Sequence, residues 1–175
     1  MATKPEILDG AVVVLRRGDA LTLDAVAREV GLTKPGVVHH FPTKEALMMS
    51  VVNHIVDMWE RDLRDRTPDN ASPVDRLRAY VERALMEDFD KSDLSLVADL
   101  RLRDKLCEQW AQRLNPWFGM DIDADAGSRA SLRAARLLAD GAWFNTGLGI
   151  TTMKEDERPV VRTIALQLIN LGANE

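Results

Sequence analysis

Two very short helical segments on either side of one glycine constrain the fold more than any other feature of this chain. They lie in the stretch 23–41, LDAVAREVGLTKPGVVHHF. Thr22 can cap the first helix and Gly31 ends it. Thr33 can cap the second, and Pro42 stops it. Helices of barely two turns are marginal in water, so both must be packed into a larger apolar assembly.

Helical periodicity dominates the rest of the sequence, and strand-like alternation is nearly absent. The pattern predicts an all-α fold of about nine helices, with an N-terminal three-helix helix-turn-helix head on a larger helical bundle. The clearest linker is the loop 67–72, within TPDNASP. Besides the two short helices, we predict helices at 5–17, 43–66, 73–88, 93–101, 103–115, 128–148 and 158–172.

Charge and cysteine content limit the classes of protein to consider. The net charge is −5, which argues against general affinity for nucleic acid, so any DNA binding must rest on a few local cations and helix N-termini. Cys107 is the single cysteine, which excludes an intrachain disulfide and fits a reducing compartment. No apolar run could span a bilayer and no secretory signal is visible, so we expect a cytoplasmic protein without a membrane partner.

The second short helix has the residue types of a recognition helix. In a helix-turn-helix, this helix enters the major groove with its N-terminus first. Here it opens with a hydroxyl, a cation and a glycine, in the sequence TKPG. Val37 and Val38 could touch thymine methyl groups. Thr43 and Lys44 then place another helix start and an ammonium group nearby, which suits a phosphate.

At these residues the sequence resembles a known family. The segment LTLDAVAREVGLTKPGVVHHFPTKEALMMSVV is similar to the DNA-binding head of the TetR family of bacterial repressors. The similarity rests on the GLTK turn, the short helix ending in His-Phe, and FPTKEAL at the start of helix four. It is specific over roughly residues 5–58. The remainder matches in length and helix count, with a looser similarity to repressors of multidrug-efflux genes.

The resemblance implies a homodimer that binds palindromic operator DNA and is released by a small molecule, with no cofactor. It implies a DNA-binding domain over 1–45 and a ligand-binding and dimerisation domain over 46–175. Two departures stand out: histidine replaces the tyrosine common at 39 or 40, and Lys4 is almost all that remains of a basic N-terminal arm. The positions expected to face DNA are Thr22, Thr33, Lys34, Gly36, Val37, His39, His40 and Lys44.

Other interpretations of the head stay open. His39 and His40 could ligate a metal, but adjacent side chains on a helix point about 100° apart and do not converge on one ion. We therefore predict no metal site; simple packing of the histidines is the remaining alternative. Lys44 could be merely solvated. Because the head is not basic overall, a helical protein-interaction module without DNA binding remains an alternative function.

The aromatic residues suggest a binding cavity in the C-terminal part. Core packing explains any single tryptophan, but large aromatics together often line apolar ligand sites in helical bundles. Glu82, Asp99 and Asp140 could attract a cationic ligand, although most such acids lie on the surface. The candidate pocket residues are Met86, Phe89, Trp110, Leu114, Trp117, Phe118, Trp143 and Phe144.

The last two predicted helices carry small and apolar residues on one face. Such a face permits close helix approach, and by the family resemblance it would form a dimeric four-helix bundle about a two-fold axis. Burial within the monomer is the alternative. The candidate interface residues are Ala134, Leu137, Leu138, Ala142, Ile164, Leu168 and Leu171.

No catalytic machinery is recognisable in the sequence. A nucleophile motif, a glycine-rich phosphate loop and metal-ligand spacings are all missing, so we predict no catalytic residues and no enzyme. The expected function is a ligand-responsive transcriptional regulator, a repressor released by a small, largely apolar molecule. Alternatives are the interaction module and an activator or ligand-independent regulator of the same fold.

Overall fold

The computed structural model describes residues 2–96 and 99–173, and within these ranges the chain is helical and contains no strand. This confirms the all-α class, with eight α-helices and two 3-10 helices where about nine helices were expected. No described helix is both long and apolar enough to cross a membrane. The α-helices are α1 Lys4–Arg16, α2 Leu23–Glu29, α3 Lys34–His40, α4 Lys44–Asp65, α5 Pro73–Met86, α6 Arg103–Leu114, α7 Ala126–Gly147 and α8 Arg158–Ala173, and the 3-10 helices are Lys91–Leu96 and Asn115–Trp117.

The chain divides into two compact units. The first comprises Met1–Trp59 and Asp90–Arg113, and the second comprises Glu60–Phe89 and Leu114–Glu175. Helix α4 contributes residues to both units, because it continues without interruption across position 59. The predicted DNA-binding domain over 1–45 and the predicted ligand-binding and dimerisation domain over 46–175 are defined by their binding roles and not by compactness. This division stays a prediction.

In the first unit, α1 packs against α2 and α2 packs against α3. Helix α1 begins with a capping box, in which Thr3 and Glu6 satisfy each other's backbone amides. The apolar faces of α1 to α4 supply the interior. Its most completely buried side chains include Ile7, Ala11, Val26, Val37, Phe41, Leu47 and Val51.

Gly31 makes the turn between the two short helices. Its φ is +65°, a left-handed conformation that side chains with a Cβ disfavour. The turn allows the amide of Leu32 to donate to the carbonyl of Ala27 at 2.9 Å, which closes the C-terminus of α2. Thr33 follows directly as the N-cap of α3. The glycine therefore lets two seven-residue helices be joined within four residues.

In the second unit, α7 and α8 pack on each other and both pack against α5. Ser72 caps α5, with Pro73 in the first turn and Asp75 completing a capping box. Helix α7 begins at Ala126, earlier than predicted. The cap is Asp125, whose carboxylate accepts from the first backbone amides, rather than Ser128.

The predicted helix over 93–101 is wrong as far as the structure describes it. A 3-10 helix occupies Lys91–Leu96 instead, and residues 97 and 98 lie outside the described residues. The carboxylate of Asp90 accepts from the amide and the hydroxyl of Ser92, at 2.9 and 2.8 Å. Such local side-chain bonds compete with the α-helical ladder, which explains the tighter winding.

We predict that Gly31→Ala lowers the free energy of unfolding by about 1–2 kcal/mol, the cost of a left-handed conformation for a residue with a Cβ. No atom lies within 4 Å of the position a Cβ would take, so the cost is backbone strain alone. Urea unfolding followed by circular dichroism measures it.

The matched control is Gly36→Ala, where the Cβ would lie 3.5 Å from Thr33 Oγ1 in ordinary contact. Gly36 is helical, so alanine there should leave stability unchanged or raise it. Equal destabilisation by the two substitutions would contradict the role of Gly31.

Candidate DNA-binding and ligand-binding sites

Three threonine hydroxyls cap the three helices expected at the DNA face. Oγ1 of Thr22 accepts from the amide of Ala25 at 3.0 Å, and Oγ1 of Thr33 accepts from that of Gly36 at 3.3 Å. Thr43 caps α4 in the same way. The first-turn amides left over by these caps are donors suited to phosphate oxygens.

Both lysines expected at the DNA face are engaged with carboxylates. The Nζ of Lys34 lies 2.8 Å from Asp24 Oδ2, and the Nζ of Lys44 lies 2.9 Å from Asp99 Oδ2. The hydrogen bond from Lys44 and the backbone amide of Arg101 hold the pKa of Asp99 below its usual range. A phosphate that binds either lysine must therefore displace or share an internal acid.

The recognition helix presents only part of the expected set. His39 is exposed and His40 is half-buried, with ring centroids 5.3 Å apart and planes at 78°. Gly36 is half-buried near the start of the helix. Val37 requires a correction: its side chain is fully buried, so it belongs to the core of the head and does not reach a groove. On a seven-residue helix, the packing of the helix determines which side is buried. The sequence alone did not show that position 37 lies on that side.

The aromatic candidates do not converge on one pocket. Trp110 lies in the first unit, where its ring meets that of Trp59 edge-on at 5.5 Å. Leu114 is fully buried, and Met86 is 41% exposed. Each of these side chains is placed by a different neighbour, so the predicted cavity is divided among several locations.

Three of the candidates do come together in the second unit. The rings of Phe89 and Trp143 lie 5.0 Å apart, and those of Trp143 and Phe144 lie 4.8 Å apart, both edge-on. Gly147 admits the Phe89 ring, because a Cβ there would overlap it. The cavity beside this cluster holds only about 10 Å³, about the space that a single water molecule needs. A ligand must therefore push these rings apart to enter.

Another candidate, Phe118, lies beside a polar cluster that the sequence analysis missed. The ring of Phe118 meets Tyr80 edge-on at 5.2 Å and carries the guanidinium of Arg136 at 3.6 Å. The Tyr80 hydroxyl donates to Asp140 at 2.7 Å, and Arg136 Nε lies 3.2 Å from the same carboxylate. Burial and the charge of Asp140 raise the pKa of Tyr80 well above 10.0, so its phenol stays a donor. Residues 136 and 140 lie one helical turn apart in the sequence, and this spacing was the signal from which the ion pair could have been predicted.

The acids considered as attractors of a cationic ligand are all paired. Asp140 holds Tyr80 and Arg136, Asp99 holds Lys44, and Glu82 bonds the guanidinium of Arg162. Their charges are largely neutralised within the chain. A ligand with a positive charge therefore has no unpaired member of this set to bind.

The candidate interface residues divide between the surface and the packing of α7 on α8. Leu137 is 61% exposed, Leu171 64% and Ile164 46%, whereas Leu138, Ala142 and Leu168 are half-buried. Ala134 is exposed. The large exposed side chains leave a substantial apolar surface on these two helices. Exposed apolar patches of this kind mark interaction surfaces.

A capped recognition helix behind a glycine turn, followed by a separate helical unit, defines a helix-turn-helix regulator with a C-terminal domain of its own. Residues 7–51 match the family model of bacterial regulatory proteins of the tetR family. Residues 74–170 match the model of the tetracyclin repressor-like C-terminal domain. The chain belongs to the TetR family of transcriptional regulators.

Individual relatives agree with this assignment. Over 63 residues the chain is 32% identical to the HTH-type transcriptional regulator RutR of Escherichia coli K12, a match that covers 36% of this chain and 29% of RutR. The chain thus matches less than a third of that regulator's length. Two solved structures share the fold: a Rhodococcus sp. protein assigned to the TetR family (TM-score 0.68, 16% identity, 95% of this chain and 96% of that one) and the multidrug binding protein EbrR complexed with imidazole (TM-score 0.64, 18% identity, 96% of each chain).

We predict opposite effects on DNA affinity for the two partners of the Lys44–Asp99 ion pair. Lys44→Ala should weaken binding to all sequences alike and lower the salt slope by about one, because a phosphate contact reads no base. Asp99→Asn should strengthen binding several-fold, because it removes the acid that competes with phosphate. Fluorescence anisotropy with labelled DNA at several salt concentrations measures both.

Lys154→Ala is the control, since it removes the same charge from an exposed position in the second unit. It should leave the salt slope unchanged. Equal slopes for the wild type and Lys44→Ala would show that this lysine does not contact a phosphate.

Proposed function

We propose that this protein is a transcriptional repressor that binds palindromic operator DNA as a homodimer and is released by a small, largely apolar molecule. The observation that carries the proposal is the head itself. It presents the capped starts of α3 and α4 together with exposed Lys34, His39 and Lys44. These groups suit phosphates and base edges at a major groove. Binding to DNA places this activity in the cytoplasm.

Dimerisation is supported by exposed apolar side chains on α7 and α8. Leu137 and Phe144 recur at helical spacing along α7, with Leu148 at its C-cap, and Val160, Ile164 and Leu171 recur along α8. A monomer would leave these side chains in water. Two copies of the pair α7–α8 can cover them by meeting about a two-fold axis. One recognition helix offers few base contacts, and two heads about 34 Å apart would double them.

Effector binding is supported by the cluster of Phe89, Trp143 and Phe144. Ala142 and Met153 add apolar wall to the same small cavity, and Glu87, Thr146 and Arg158 add polar wall. An apolar molecule that inserts between the rings would be buried by them, as each ring is now buried by its neighbours. We propose that the regulated gene serves the efflux of apolar compounds.

For release, the effector must prefer the conformation that does not bind DNA. Equal affinity for both conformations would shift nothing. Helix α4 is the element we propose to carry the change, because its residues belong to both compact units. The expected coupling is about 1–3 kcal/mol, and by linkage operator DNA must weaken effector binding by the same factor.

The small cavity also favours a second candidate function, a ligand-independent regulator of the same fold. A volume of about 10 Å³ admits no effector unless side chains move. In this alternative the aromatic cluster only stabilises the second unit. Gel-shift assays with DNA flanking the protein's own gene test DNA binding for both candidates, and the absence of specific binding would leave the interaction module.

We predict that Leu137→Glu converts the dimer into a monomer and lowers affinity for operator DNA by at least about tenfold, because a charge in an apolar interface must be desolvated without a partner. Light scattering at micromolar concentration measures the mass, and anisotropy measures DNA binding. Met120→Glu is the control, since Met120 is 43% exposed in the second unit and lies outside α7 and α8. A wild-type monomer that binds specific DNA would contradict the proposal.

We also predict that operator DNA weakens effector binding, and that Trp143→Phe weakens it further. A panel of apolar aromatic compounds, titrated with and without operator and followed by tryptophan quenching, provides the measurement. Trp110→Phe is the control, because that indole lies in the other compact unit. Identical effector affinities with and without DNA would favour the ligand-independent regulator. Unchanged affinity in Trp143→Phe alone would refute the place of this residue in the pocket.

A further inference from the structure

We propose that a cleft in the second unit binds a small aromatic carboxylate, at a site separate from the aromatic cluster. The cleft has a volume of about 220 Å³ and is formed by the end of α4, the following loop and the start of α5. None of Phe89, Trp143 or Phe144 lines it. Its walls are Arg64, Thr67, Pro68, Ala71, Arg76 and Trp117, with Asp69 also at the cleft.

Arg76 is the main reason to expect an anion. Its Nε is buried and has no hydrogen-bond partner, and the described residues offer its guanidinium no ion pair. Other arginines on α5 do have partners: Arg83 bonds Asp62 at 2.6 Å, and Arg78 bonds Asn170 at 2.9 Å. A buried donor without an acceptor is costly. Because Arg76 also lines the cleft, an anion bound there can pair with the part of its guanidinium that faces the cleft.

The position of Arg76 on α5 strengthens this argument. It follows Pro73 by three residues, at the start of the helix, where the backbone dipole disfavours a cation. A carboxylate bound there would meet both the positive end of the helix and the guanidinium. Because the two Nη atoms of a guanidinium lie in one plane, they suit two carboxylate oxygens in a bidentate pair.

The remaining charges at the cleft favour a single negative charge. Arg64 adds a second guanidinium, but it already bonds Glu60 Oε2 at 2.9 Å. Asp69 is exposed and repels any anion that approaches. Two guanidinium groups and one carboxylate leave one net positive charge at the cleft, which a single carboxylate neutralises.

Trp117 indicates that the anion carries an aromatic ring. Its indole is only 6% exposed, yet it forms part of the cleft wall, where Pro68 and Ala71 add apolar surface. Planar rings pack well against an indole. A cavity of about 150 Å³ holds benzene, so the space here accommodates benzoate. This site goes beyond the apolar effector proposed above and does not depend on DNA binding.

Titration of the full chain with benzoate by isothermal calorimetry tests the proposal. We expect saturable binding of one benzoate per chain. Arg76→Gln should weaken it at least tenfold, and Asp69→Asn should strengthen it several-fold by removing the repelling acid. Arg61→Gln is the matched control, because it removes the same charge from an exposed position on α4 that does not line the cleft; its affinity should match the wild type within twofold.

Equal benzoate affinity in the wild type and Arg76→Gln would overturn the proposal. It would also be overturned if phosphate bound more tightly than benzoate, or if benzyl alcohol bound as tightly as benzoate. Circular dichroism checks the fold of each variant. If Arg76→Gln does not fold, Arg64→Gln serves in its place, because Arg64 is exposed. We expect this variant to bind benzoate more weakly, and unchanged benzoate affinity would contradict the site. DNA affinity measured on the same variants reports on the repressor function separately.

Discussion

The packing of two seven-residue helices is the interaction on which the head of this protein depends. Neither α2 nor α3 is long enough to be stable in isolation, so each forms only with its apolar side buried. Val26 and Val37 are completely buried, one from each helix. This burial fixes which side of α3 faces outward. The positions available to DNA are therefore a consequence of core packing.

The charges of the head are arranged around that core with little excess of either sign. Lys34 and Lys44 each have a carboxylate partner within hydrogen-bonding distance. In a chain with a net charge of −5, such pairs keep nonspecific attraction to DNA low. Affinity must then come from helix N-termini and correctly placed contacts rather than from a broad basic surface. This arrangement lowers the affinity for phosphate on any DNA, so sequence preference must come from the groups that reach base edges.

The second unit has an apolar core that contains a polar cluster, and it exposes large apolar side chains on its surface. Inside, the Tyr80 hydroxyl donates to Asp140, and Arg136 forms an ion pair with the same carboxylate beside the ring of Phe118. Buried polar groups that are paired in this way restrict how the surrounding helices can pack. Outside, α7 and α8 expose large apolar residues such as Leu137 and Leu171. A single chain thus fixes its own interior but leaves an uncovered surface, which is the physical basis for proposing a dimer.

The sequence by itself determined the helical class, the glycine turn and most helix boundaries, because caps, prolines and apolar periodicity act within a few residues. It failed at 93–101, where Asp90 bonds Ser92 locally, and at the start of α7, where Asp125 competes with Ser128 as a cap. Only the tertiary structure decided which side chains meet. It buried Val37, separated Trp110 from Trp143, and left Arg76 Nε without a partner. These outcomes depend on contacts between residues far apart in the chain, which local pattern cannot encode.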